Sequence, residues 1–118
     1  MILDEYFRGN DGSRKLFEAL RNVIESIGHA EIRVTKSQVA FYRRKAFVWA
    51  WIPGKYLRGR GAPLVLTISF RRRHASPRWK EILQPAPGRF AHHLELHSAE
   101  EIDHEVRDWL HEVWLKVA

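Results

Sequence analysis

Two cationic stretches are the first residues that could do chemistry. One is the loop Pro53-Gly54-Lys55-Tyr56-Leu57-Arg58-Gly59-Arg60-Gly61, and the other is Arg71-Arg72-Arg73-His74 with Arg78 and Lys80 close behind. Arginine forks match phosphate and carboxylate groups bidentately. A tyrosine set between cations can stack on a base while its neighbours hold the backbone. Residues 33–89 carry fourteen basic side chains against one acidic one, Glu81, whereas residues 1–32 and 90–118 each carry more acid than base. Such a field draws polyanions and speeds their encounter. The same charge could also serve only as a solvated surface, partly neutralised by the flanks on folding. No recognised nucleic-acid motif accompanies it.

Other chemistries are poorly supplied. Only Glu81 is acidic between Ile32 and Leu94, and Asp4, Asp11, Asp103 and Asp108 all lie in the flanks. Paired-carboxylate glycosidases and two-metal phosphodiesterases need several facing acids. No G-x-S-x-G elbow, P-loop or G-x-G-x-x-G run occurs, so no cofactor is expected. Histidines offer one alternative. Strand alternation puts His93, Glu95 and His97 on one face and His92 with Leu94 and Leu96 on the other. Successive same-face positions stand roughly 6–7 Å apart, too far for all three to hold one ion, so no metal site is assigned. His92 reads as a half-buried, hydrogen-bonded side chain. A small enzyme using His92 or His93 as acid–base near Lys36, Ser37 and Arg78 remains an alternative, since imidazole titrates near neutrality.

The elements that must position these residues follow from periodicity. Leu16, Phe17, Leu20, Val23, Ile24 and Ile27 form one helical stripe. This predicts a helix over about 13–27, capped by Asp11 or Ser13 and ended at Gly28, with residues 4–8 irregular. Alternating runs predict strands within about 31–96: 31–34, 39–42, 47–52, 64–71 and 90–96, separated by turns and joined as antiparallel hairpins. Pro77, Pro85, Pro87 and Gly88 interrupt the stretch before the last strand. Ser98 and Glu101 match a capping box opening a helix over about 99–117. The result is one α+β domain: an antiparallel sheet of four to five strands with an N-terminal and a C-terminal helix packed on one face.

That architecture leaves a second sheet face. Phe47, Trp49 and Trp51 are expected to project to it together. It could be covered by the 71–89 loop, buried in a homodimer, or used as an aromatic platform for a ligand; Trp49, Trp51, Tyr56 and Trp79 are the aromatic or interface candidates. A homodimeric structural or regulatory protein is therefore the second functional reading.

The 118 residues suit one domain, and the 45% apolar and 29% charged composition is that of a globular protein. There is no cysteine, hence no disulfide and no thiolate nucleophile. The longest uncharged run, Gly61 to Phe70, is shorter than the roughly 20 residues of a membrane helix. Asp4, Glu5 and Arg8 argue against a signal peptide starting here. A cytoplasmic protein with no membrane partner is the expectation.

Four stretches carry a resemblance: Arg33 to Phe41, Pro53 to Leu57, Ser76 to Glu81 and Phe90 to Leu96. Together they resemble a bacterial family of small uncharacterised domains, catalogued as a domain of unknown function. Some distant members are labelled predicted transport protein. The resemblance spans about residues 8–117. It implies the helix–sheet–helix order, brings no catalytic residues, and directs attention to the 35–38 turn, the 76–81 segment and His92-His93.

Overall fold

A computed structural model describes residues 1–55 and 61–118. The apolar stripe forms a helix, α2, over Asp11–Ile27, preceded by a short α1 at Leu3–Tyr6. The second of these differs from the irregular 4–8 stretch expected. Tyr6 is completely buried there, its hydroxyl donating to the Ser37 carbonyl at 3.1 Å and accepting the Ile52 N–H at 3.1 Å. A ring pinned by a strand-connecting turn and by the end of a strand holds that one turn in place. Neither Asp11 nor Ser13 is the cap: Asp11 is the first residue of α2, and Asn10 holds the cap position without a side-chain hydrogen bond. Ser13 lies within the helix, and its hydroxyl reaches across to the Pro63 carbonyl at 2.6 Å.

Six strands follow: β1 Glu31–Val34, β2 Val39–Tyr42, β3 Ala46–Trp51, β4 Leu64–Phe70, β5 Glu81–Ala86 and β6 Arg89–Leu96. They make one sheet in the order β1-β2-β3-β4-β6-β5, every pair antiparallel. The sheet thus has one strand more than expected. Pro85 reads as a breaker, yet it sits where the β5–β6 register shifts between Leu83 and Ala86 on an outer strand, where the missing N–H costs no ladder bond. Gly88, at φ 71°, turns β5 into β6.

The C-terminal helix also starts later than expected. Residues 99–101 form a 3₁₀ turn, and Glu101 accepts the Ser98 N–H at 3.1 Å. Helix α3 spans His104–Lys116, with Asp103 as its cap accepting the Val106 N–H at 3.1 Å. The Ser98–Glu101 pair therefore secures the turn, and Asp103 starts the helix.

Both α2 and α3 lie on one sheet face. The core joins Leu16, Phe17, Leu20 and Ile24 of α2 and Val106, Trp109, Leu110 and Val113 of α3 to one alternation of the strands: Phe41, Val48, Leu66, Ile68, Leu94 and their like. Each such aliphatic or aromatic side chain contributes roughly 1.5–3 kcal/mol by burial. Phe17 stacks on Phe41 at 5.8 Å between ring centres.

Phe47 departs from the simple alternation. Phe41 pairs with Val48 but Tyr42 pairs with Ala46, so Phe47 is an extra residue in β3. A bulge of this kind re-aims a side chain, and Phe47 joins the helix-side core, 1% exposed, instead of standing beside Trp49 and Trp51.

Candidate functional site

Antiparallel pairing brings strand ends together. The end of β2, the 43–45 turn, the start of β3, the end of β4, the β5–β6 turn and the start of β6 all fall at one end of the sheet. Helix α3 terminates over that same end. The space between holds a cavity of about 520 Å³. Its walls carry Lys45, Arg71, Arg72, Arg89 and Lys116, and Glu112 is the carboxylate among them. Phe47, Phe70, Val113 and Val117 also border it, but as core side chains that are almost fully buried.

The charge is largely uncompensated. Arg72 meets Glu112 at 3.4 Å. Lys45, Arg71, Arg89 and Lys116 have no carboxylate partner among the described residues. The neighbouring Arg43 and Arg44 do other work. Arg43 lies over the Trp114 ring at 3.5 Å and donates to the Trp114 carbonyl at 2.8 Å, and Arg44 reaches the Ala118 carbonyl at 3.3 Å. Arg43 thus satisfies a carbonyl at the negative end of α3, and Arg44 one just beyond the helix. Lys116 itself lies in the last turn of α3, so one of the cavity cations also sits at that helix end.

Arg71 and Arg72 are the sequence candidates that meet at this cavity. Lys45, Arg89 and Lys116 were not singled out. A usable signal existed: hairpin pairing places the 43–45 turn, the end of β4 and the turn before Arg89 at one end. Lys116 sits in an acidic segment, and its position follows only from how α3 packs.

The other candidates lie elsewhere. Arg73 is exposed, over the Phe90 ring at 5.4 Å. Arg78 is neutralised by Asp103 at 3.0 Å and Glu105 at 2.9 Å, and it also donates to the Glu101 carbonyl at 3.0 Å. The Glu105 hydrogen bond, with that to Asp103, outweighs desolvation and raises its pKa. Lys80 stands 3.8 Å from Glu95. Lys55 donates to the Tyr6 carbonyl and lies over the Tyr6 ring at 3.6 Å, and burial lowers its pKa. It belongs to the opposite end of the sheet from Arg71, about 20 Å away along a seven-residue strand. Tyr56, Arg58 and Arg60 lie outside the described residues. The two cationic stretches therefore do not merge at Lys55.

His92 is sealed in the core at 0% exposure. Its Nε2 accepts the His74 backbone N–H at 2.9 Å, which places the neutral ring's proton on Nδ1, 2.9 Å from the Phe90 carbonyl that receives it. Desolvation is the main cause of its lowered pKa. Trp79 packs on Trp109 at 4.4 Å and donates to the His74 carbonyl at 3.0 Å. The 71–80 segment thus places its tryptophan against the helix side. Lys36 and Ser37 are exposed at the β1–β2 turn, three strands or at least about 14 Å from His92. The proposed grouping of His92 with Lys36 and Ser37 is not assembled.

His93 faces the other side of the sheet. Thr67 Oγ1 lies 2.6 Å from His93 Nδ1 and accepts the Trp51 indole N–H at 3.0 Å, and Glu81 is 3.9 Å from His93 Nε2. Burial lowers the His93 pKa, opposed by Glu81. Thr67, only 5% exposed, was not read from the sequence as part of this chain. Trp49 is half-buried on the same face.

Fold and site together define an α+β domain of two helices on a six-stranded antiparallel sheet, with a cationic cavity at one sheet end. The chain belongs to the family described as Domain of unknown function (DUF5655), whose profile matches residues 3–115. No curated protein and no solved structure matches the chain. No helix among the described residues is long and apolar enough to cross a membrane.

Proposed function

We propose that this domain is a non-enzymatic binding module for an anionic partner, with nucleic acid the favoured class. One observation carries the reading: four cations from four separate segments surround one cavity with no carboxylate partner among the described residues. Like charges held together this way repel one another, and a bound anion relieves that cost. Phosphates offer the geometry that Arg71 and Arg89 take up as forks, while Lys45 and Lys116 act as point charges. The basic balance of residues 33–89 adds a field that guides a polyanion to this end.

The test is fluorescence anisotropy of labelled, mixed-sequence single-stranded DNA and RNA at low ionic strength. Saturable binding that Arg71→Glu abolishes is the expected result. Absence of binding to either strand type at low salt overturns the reading.

A further inference from the structure

We propose that segment 71–80 is an acid-released strap: neutral His92 holds it against the sheet, and a proton on that ring lets it go. Strap release requires no anionic partner, but it reaches the cavity, because Arg71 and Arg72 at the head of the segment line it. The segment joins β4 to β5 without a helix or strand of its own. Among the described residues, one backbone N–H between Arg72 and Trp79 reaches the sheet. It is that of His74, which donates to His92 Nε2 at 2.9 Å. The other ties are side chains: Arg72 on Glu112, Arg78 on Asp103 and Glu105, and Trp79 on Trp109.

The direction of the His74 bond makes it sensitive to a proton. A neutral imidazole has one donor and one acceptor nitrogen. Nδ1 spends its proton on the Phe90 carbonyl, which leaves the Nε2 lone pair for the His74 N–H. Protonation fills that lone pair, and two N–H donors then face each other at a fully buried site. No carboxylate stands ready to compensate. Ile68 of β4 and Ile82 of β5 flank His92 across the ladders. Phe70 and Trp79 pack on its ring, each at 4.9 Å, and His74 stands at 6.5 Å. Helix α3 contributes Trp109, which packs on His74 and Trp79. Glu81 faces His93, Asp103 and Glu105 are taken up by Arg78, and Glu112 by Arg72.

Burial, with His74 and Arg73 beside the ring, outweighs the Phe90 and Ile68 carbonyls that favour its charged form. His92 therefore titrates below the ordinary imidazole value while the strap is closed. With the strap open, the ring meets water and recovers a value of about 6.5. The open state thus holds the proton more tightly, and acid favours it. The gain is up to about tenfold per pH unit between the two values. Closure also leaves His74 Nδ1 buried without a partner, a cost that opening relieves.

Hydrogen exchange of the full chain, read by mass spectrometry from about pH 7.5 to about pH 5.5, tests the strap, with rates corrected for the pH dependence of chemical exchange. Peptides within 72–80 should gain exchange by up to about tenfold per pH unit below about 6.5, while α2 and the β1–β2 hairpin stay protected. His92→Gln keeps an acceptor oxygen for the His74 N–H and does not titrate, so it should abolish the response. His93→Gln removes the other buried imidazole and should leave the response in place, which keeps the test decisive if His92→Gln does not fold. Anisotropy of labelled single-stranded DNA at constant salt should show weaker binding in acid, where added positive charge alone would strengthen it.

Unchanged exchange within 72–80, or exchange that rises equally in α2 and the β1–β2 hairpin, would overturn the strap. A response that survives in folded His92→Gln, or vanishes in His93→Gln, would overturn the role of His92. Release accompanied by tighter DNA binding would overturn the strap's hold on the cavity. Absence of DNA binding at every pH would remove the binding-module reading alone, since the exchange profile judges the strap.

Discussion

Replacing Arg71 and Arg89 together by glutamine removes two of the four uncompensated cations around the cavity. Neutralising phosphates releases condensed counterions, so affinity falls with salt in proportion to the number of contacts. For single strands the slope of log K against log salt is about −0.7 per contact, giving about −2.8 for four cations and about −1.4 for two. From about 50 to about 200 mM salt, the wild type should lose roughly 50-fold in affinity and the double variant roughly 7-fold. Lys36→Gln is the control. Lys36 is exposed at the opposite end of the sheet and has no carboxylate partner among the described residues. Anisotropy titrations across a salt series give all three slopes. Equal slopes for wild type and double variant would refute the reasoning, as would a Lys36→Gln slope reduced as much as that of the double variant.

Three predictions concern the scaffold. Gly28 adopts an extended backbone open to any residue, but an added Cβ would fall inside the Trp114 indole; Gly28→Ala should cost about 1–3 kcal/mol in urea unfolding, and an unchanged midpoint would show that Trp114 moves freely. His92→Leu strips partners from the His74 N–H and the Phe90 carbonyl, so a loss of about 1–3 kcal/mol is expected, whereas a neutral result would mean water replaces the ring. Acid should destabilise the fold early. His92 and His93 both titrate below the ordinary imidazole value, chiefly through burial. Their stabilising effect is complete above the unfolded value of about 6.5 and is lost as pH falls through the lower folded values. The urea midpoint should therefore drop between about pH 7.5 and about pH 5.5, and a rising midpoint would contradict the burial of both rings.

Periodicity made much of the fold legible. The stripe from Leu16 to Ile27 and the alternation from Leu64 to Phe70 each depend on local spacing, and each appears as read. β5 was obscured because Pro85 signals a break locally, and only pairing with β6 shows that its missing N–H is harmless. Phe47 was misplaced because alternation assumes an even ladder, and the bulge opposite Tyr42 depends on the partner strand. For the site, the run at Arg71-Arg72 was visible as charge. Which cations remain free was not, since that depends on long-range partners: Arg78 on Asp103 and Glu105, Lys80 on Glu95, Arg43 on the Trp114 carbonyl.

The register shift at Pro85 has a consequence for how molecules meet. An open sheet ends in two outermost strands, and a straight one would invite another copy to add on. Here β1 presents exposed Glu31 and Arg33, and β5 lacks one donor and slips out of step between Leu83 and Ala86. The first margin is short and charged and the second is interrupted, so neither is a long, regular template for filament growth, although Leu83 stands 47% exposed beside the break. The residue that hid the sixth strand from a reader thus also discourages runaway edge-to-edge stacking.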